Sequence, residues 1–101
     1  MNILNAGHSY IQLKKYNEAK KYIVKGMSLA KKAGDKQYIN YDLAYGYQNL
    51  GSLYKNLAKY KKSTINYSKA YNLYKNVNDV SDAKYCLSMI NKIKGKNKKI
   101  K

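Results

Sequence analysis

The 101-residue chain has no proline, no tryptophan, no phenylalanine and no arginine, with a single cysteine, a single histidine and five acidic residues. Without Phe or Trp, the aromatic bulk of any core falls to thirteen Tyr. Their hydroxyls need water or a partner, so thin packed layers are expected rather than a deep globule. Without Arg, the bidentate reading of guanine edges and the planar grip on phosphate are missing, which argues against sequence-specific nucleic-acid recognition. The lone Cys86 rules out an internal disulfide and a thiolate metal cluster, and points to a reducing cytoplasm. The opening residues show no basic leader followed by an apolar stretch and a cleavage site. No run approaches the ~18 apolar residues of a membrane span. The expected protein is soluble and cytoplasmic.

The inventory is also too thin for an enzyme. Catalysis needs a reactive group, a base within reach and a polarising neighbour. Here His8 and Cys86 lie far apart in the chain, with no partner at catalytic or metal-ligand spacing. Cys86 reads as a buried thiol and His8 as a groove-facing imidazole. Of the acids, Asp35, Asp79 and Asp82 have helix-capping places, and Glu18 sits where a helix dipole favours a carboxylate. Gly46 and Gly51 fall inside a helical pattern, with no Gly-Lys-Ser/Thr after them, so they form no phosphate loop. No catalytic residue, cofactor or metal site is expected.

What the chain does have is a repeat. Residues 6–35 and 50–79 align at a shift of 44, with nine identities in thirty positions, among them Gly7/Gly51, Tyr10/Tyr54, Leu13/Leu57, Tyr16/Tyr60 and Leu29/Leu73. Within the second unit, Tyr47, Leu50, Gly51, Tyr54 and Leu57 recur at steps of three and four, one face of a helix. A second stripe follows at Ser63, Tyr67, Ala70 and then Leu73 or Tyr74. Small residues at Gly51, Ser63 and Ala70 let two antiparallel helix axes approach, with Tyr filling the space between. Gly34-Asp35 and Asn78-Asp79 supply caps at the unit boundaries, and Ser81-Asp82-Ala83 a further helix start. Five helices are expected, at about 2–13, 17–33, 36–57, 61–76 and 81–94, with 95–101 a frayed Lys-rich tail.

These residues carry a family resemblance. Tyr47, Leu50-Gly51, Tyr54, Ser63, Tyr67 and Ala70 in the second unit, and Ile3, Ala6-Gly7, Tyr10, Ala19, Ile23 and Gly26 in the first, resemble the tetratricopeptide repeat pattern. The unit is similar to the longer variant of about forty residues in Gram-positive peptide-sensing regulators and kinesin light chains. The Pro that usually ends the second helix is absent, with Lys31 and Lys75 near its place. The resemblance implies an all-α fold, a right-handed α-solenoid of tandem antiparallel helix pairs. It would hold about two and a half repeats in one domain over 1–94: repeat 1 about 2–33, repeat 2 about 36–76, and a capping helix about 81–94 with Leu87, Ile90 and Ile93 as its stripe.

The resemblance also implies where a ligand would sit. The concave wall of such a stack is its recognition surface. Here it would display Leu4, Asn5, His8, Ile11 and Gln12, then Tyr45, Gln48, Asn49, Ser52, Lys55 and Asn56, then Tyr85, Ser88, Met89 and Lys92. That set offers amides and hydroxyls for the backbone of an extended peptide, two Lys and no acid. It does not match the Lys and Asn pattern of chaperone-tail clamps, since only Asn49 falls on such a position.

The net charge of +16 leaves several partners open: an acidic protein or peptide, nucleic acid, or an anionic surface met by the Lys of the second helices and tail. Abundant Lys, Asn, Tyr and Ile is equally what an AT-rich coding sequence produces. The leading function is a protein- or peptide-binding scaffold. The alternatives are a truncated relative of a bacterial peptide-sensing regulator and an electrostatic binder of nucleic acid or anionic surfaces. Because about three repeats usually make a stable stack, a homodimer is a further possibility.

Overall fold

The computed structural model describes residues 3–33 and 36–100. They form five α-helices: α1 Ile3–Gln12, α2 Tyr16–Ala33, α3 Lys36–Asn56, α4 Tyr60–Asn76 and α5 Val80–Ile100. Each packs on its neighbours in chain order, and α1 also meets α3. The stack is a slab whose Cα extents are 44 × 30 × 17 Å. Its thinnest dimension is close to the span of two helix layers, whose Cα atoms reach roughly 13–15 Å across when the axes lie about 8–10 Å apart.

The helix boundaries follow the sequence reading to within a residue or two, apart from the C-terminus. There α5 runs to Ile100 rather than fraying after 94. Lys and Asn tolerate helix, and the one Gly in the segment, Gly95, lowers propensity by only about 1 kcal/mol without ending the ladder. The expected Gly34-Asp35 cap lies outside the described residues.

Three turns share one geometry. Lys14, Ala58 and Asn78 have φ of 62°, 59° and 61°, each just past the end of a helix. In each turn the following N–H reaches back to the carbonyl five residues earlier: Lys15 to Tyr10 at 2.9 Å, Lys59 to Tyr54 at 2.8 Å and Asp79 to Tyr74 at 2.9 Å. This is the paired closure that satisfies the last carbonyls of a helix. Asn78 was legible as such a residue. Lys14 and Ala58, a Lys and an Ala in left-handed backbone, were not. After the third turn the start of α5 is capped by Asp79, whose Oδ1 accepts the Asp82 N–H at 3.1 Å. The helix thus begins one residue ahead of the Ser81-Asp82-Ala83 signal.

Two cores share α3. The first gathers Leu4, Ile11, Ala19, Ile23, Met27 and Leu53 from α1, α2 and α3. The second gathers Ala44, Tyr67, Ala70, Tyr74, Ala83, Cys86, Met89, Ile90 and Ile93 from α3, α4 and α5, and Tyr47 packs against both. Gly7 and Gly51 hold equivalent places. A Cβ on Gly7 would lie 2.5 Å from Ile23 Cγ1, and one on Gly51 would lie 2.7 Å from the Tyr67 ring. Only glycine lets the paired helices come so close. Leu13 and Leu57, although identical between the units, are exposed at the turns and pack in neither core. Leu87 is likewise 41% exposed, while Ile90 and Ile93 are buried beside Cys86.

Candidate functional site

The face formed by α1, α3 and α5 carries most of the polar residues singled out in the sequence. Asn5, His8 and Gln12 on α1 are exposed; Tyr45, Gln48, Ser52 and Lys55 on α3 are half-buried, with Asn56 exposed; Tyr85, Ser88 and Lys92 on α5 are exposed. Four expected members belong to the interior instead. Leu4, Ile11 and Met89 are core residues. Asn49 is 2% exposed, and its Nδ2 donates to the Leu4 carbonyl at 3.1 Å. A buried amide must be hydrogen-bonded to be tolerated, so Asn49 ties α3 to α1 and does not face a ligand.

The remaining polar groups are held from behind by the fold. The Tyr45 hydroxyl donates to Asn5 Oδ1 at 2.7 Å, across the α1–α3 seam. Tyr74, rooted in the core by α4, donates its hydroxyl to Gln48 Oε1 at 2.7 Å. Ser52 on α3 and Tyr85 on α5 lie near enough to the buried Tyr67 side chain to influence its ionisation. Burial raises the pKa of Tyr67 and Tyr74 above the ordinary tyrosine value, so both remain neutral donors. With the Oε1 of Gln48 and the Oδ1 of Asn5 already accepting, the amide ends left to meet a ligand are NH2 donors. Asn56 turns the other way: its Nδ2 donates to the Ser52 carbonyl at 2.8 Å, leaving an acceptor. On α1, Gln12 Nε2 and His8 Nε2 lie 3.1 Å apart.

The face also has an acidic end that the sequence reading missed. Asp42 lines a hollow of about 370 Å³ together with Asn5, Tyr41 and Tyr45. Burial and the nearby Asp82 and Asp79 carboxylates raise the pKa of Tyr41, whose ring meets that of Tyr74 edge-on at 5.9 Å. Asp82 itself has a raised pKa, chiefly through its hydrogen bond with Asp79. The signal was available: Asp42 lies three residues before Tyr45, on the same helical face. Lys55 and Lys92 lie toward the other ends of α3 and α5, so the face carries acid at one end and base at the other.

Part of the Lys charge has structural work on the other helices. The Lys20 and Lys62 ammonium groups lie 5.9 and 5.5 Å from the Tyr54 ring, Lys69 lies 5.3 Å from Tyr47 and Lys75 5.1 Å from Tyr71. Such cation–π contacts let like charges share a seam.

Among the described residues no group of three His, Cys, Asp or Glu could hold a metal ion, and no helix is long and apolar enough to cross a membrane. Cys86 is buried, which pushes its thiol up to about 12, and it lies in the second core. His8 stands on α1. No curated protein and no solved structure matches the chain. A family model described as tetratricopeptide repeat matches residues 3–32 and 44–77, the two helix pairs without the first turns of α3. Repeats of this kind are in general protein–protein interaction modules and not catalysts. The five-helix architecture and this match over more than half of its length agree: the chain belongs to the tetratricopeptide repeat family.

Proposed function

We propose that this protein is a scaffold that binds an extended segment of another protein along the face of α1, α3 and α5. The observation that supports this most is the pinning of the polar side chains: Asn5 by Tyr45 and Gln48 by Tyr74. Side chains already ordered lose little further entropy when a ligand arrives, so their hydrogen bonds count more fully toward affinity. Amide NH2 donors suit the carbonyls of a peptide backbone, and the Asn56 oxygen suits one of its N–H groups. The charges favour one direction, with the basic end of the segment beside Asp42 and the acidic end beside Lys55 and Lys92. The extended first turns of α3 fit the longer repeat of about forty residues.

An array of unstructured 12-residue peptides, about half of them basic-to-acidic and half the reverse, tests this reading. The expected outcome is capture of one charge order at roughly micromolar Kd, weakened about tenfold by Gln48→Ala and by Lys55→Ala, with circular dichroism verifying that each variant stays folded at the assay temperature. If Gln48→Ala and Lys55→Ala leave every captured peptide unaffected, the face is not the binding surface. If single-stranded DNA binds the chain and is released by salt without sequence preference, the electrostatic reading replaces it.

A further inference from the structure

Helix α5 stands where a third repeat would begin. A shift of 40 residues sets Met89 on Asn49, Ile93 on Leu53 and Cys86 on Gly46, all buried. On α3 the neighbouring face, with Tyr47, Gly51 and Tyr54, is covered by α4: Gly51 meets Tyr67, Lys69 lies over Tyr47 and Lys62 over Tyr54. The matching positions on α5 are Leu87, Asn91 and Lys94, and all three are exposed. Val80, two turns before Leu87, is 61% exposed.

Across from this face lies α4, and between the two helices run two hollows. One of about 390 Å³ has an apolar floor of Tyr71, Val80, Ala83 and Leu87, with Lys75 and Lys84 at its rim. The other, of about 230 Å³, lies farther along the same pair, between Tyr60, Thr64 and Ile93, with Lys61 and Lys94 at its rim. No carboxylate lines either hollow.

We propose that this α4–α5 groove docks an acidic amphipathic helix from a partner protein. Its occupant is a helix because the corresponding place one repeat earlier, against α3, is filled by a helix: α4, which inserts Ser63, Tyr67, Ala70 and Tyr74. From Val80 to Lys94 the groove is about 21 Å long at 1.5 Å per residue, room for four helical turns. The partner's flanks are acidic because the rim is four Lys, only one of them, Lys75, over a tyrosine ring, and burying a helix against ammonium groups costs affinity that Glu or Asp would recover. A second copy of this chain fits poorly. Its outer helices are themselves Lys-rich, and at the inner seam Lys20 and Lys62 coexist only beside the ring of Tyr54, whose counterpart on α5 is Lys94. Asn91 in the place of Gly51 also keeps the guest's backbone from approaching as α4 approaches α3. The guest docks through side-chain tips, and binding is reversible.

The probe is a fluorescein-labelled 17-residue peptide with Ala and Leu alternating along one helical face and Glu on both flanks, titrated with the full chain and read by anisotropy. A control peptide has the same composition scrambled so that no apolar face forms. The expected result is a Kd of roughly tens of micromolar, at least about tenfold weaker for the scrambled peptide, for Leu87→Gln and for Lys84→Glu. Val80→Gln repeats the apolar test independently, and circular dichroism verifies that each variant stays helical. Equal binding of the scrambled peptide, or indifference to Leu87→Gln and Val80→Gln, overturns the proposal. So does a dimer in light scattering that Leu87→Gln dissociates, since the occupant would then be a second copy.

Discussion

The two cores of this protein are built on the same backbone plan with different chemistry. Around Gly7 the first is aliphatic, with Ile23, Leu4 and Met27, and its buried set contains no hydroxyl or thiol. Around Gly51 the second puts Tyr67 where the first has Ile23, Ser63 where the first has Ala19, and adds Tyr74 and Cys86. An aliphatic core is satisfied by volume alone. A tyrosine core must also direct each hydroxyl, and here the Tyr74 hydroxyl emerges at the α1–α3–α5 face, on Gln48. The second core therefore both stabilises the stack and orders a polar group on that face, as the first does through Tyr45, which packs against it and holds Asn5.

The largest effects should separate the two. Tyr67→Ala is expected to cost about 4 kcal/mol, against about 3 kcal/mol for Ile23→Ala, because it removes more buried volume and orphans polar partners as well. For a chain whose total stability is about 5–15 kcal/mol, either loss is severe. Urea titration checks both, and equal losses would mean that the hydroxyl network adds nothing. Tyr67→Phe sharpens the comparison: it keeps the ring, should cost only about 1 kcal/mol, and isolates the contribution of the hydroxyl.

Alkali should attack the second core first. In the fold, burial pushes the Cys86 thiol up to about 12 and raises Tyr67 and Tyr74 above the ordinary value of 10. The unfolded chain releases these protons at ordinary values near 9 and 10, so it gains ionisation that the folded state resists. Stability from these groups is complete below about pH 9 and is lost as pH rises toward 12. Melting temperature should fall by several degrees over that window, with Cys86→Ala flattening the early part. Hydrogen exchange, corrected for its intrinsic base catalysis, should show α4 and α5 losing protection before α2. Simultaneous loss would make the two cores one cooperative unit.

The sequence made the helices, the pairing and the close-approach residues readable because each rests on local periodicity: Gly51, Ser63 and Ala70 lie at spacings that only one arrangement of two helices satisfies. Burial on the α1–α3–α5 face was harder. Asn49, Leu4, Ile11 and Met89 share the period of the exposed residues around them, and only the seam between α1 and α3 decides that Asn49 points inward. Asp42 was overlooked for another reason: its spacing puts it on the Tyr45 face of α3, but only the packing of α3 on α1 brings it to a hollow with Asn5. Leu13 and Leu57 misled by being identical, although they mark matching turns and not matching contacts.

A smaller test concerns one hydroxyl. Ser63 Oγ donates to the Gly51 carbonyl at 2.6 Å inside the core, whereas Ala19 holds the same place in the first repeat without it. That carbonyl lies inside α3, where a helical N–H is also within its reach, so Ser63→Ala should cost about 1 kcal/mol and leave no orphaned acceptor. Ala19→Ser, introduced against Gly7, should be close to neutral if the first pair can form the same bond. A cost above about 2 kcal/mol would mean that the aliphatic pair is packed too tightly to copy the second.

The smallest effects lie in the turns, where the two repeats are closest to identical. Lys14 and Ala58 occupy matching positions with φ of 62° and 59°, a conformation in which a Cβ crowds the following carbonyl. Glycine relieves that crowding but also adds freedom to the unfolded chain, so the net gain is reduced. Ala58→Gly and Lys14→Gly should each raise stability by about 0.5 kcal/mol, a shift of two to four degrees in melting temperature for a domain of this size. Asn78→Gly, at φ 61°, should gain less, because the Asn side chain tolerates left-handed backbone. Equal gains at 14 and 58 would establish that the repeats share their turns however much their cores differ. A gain at 58 alone would place the difference in the backbone as well as the side chains.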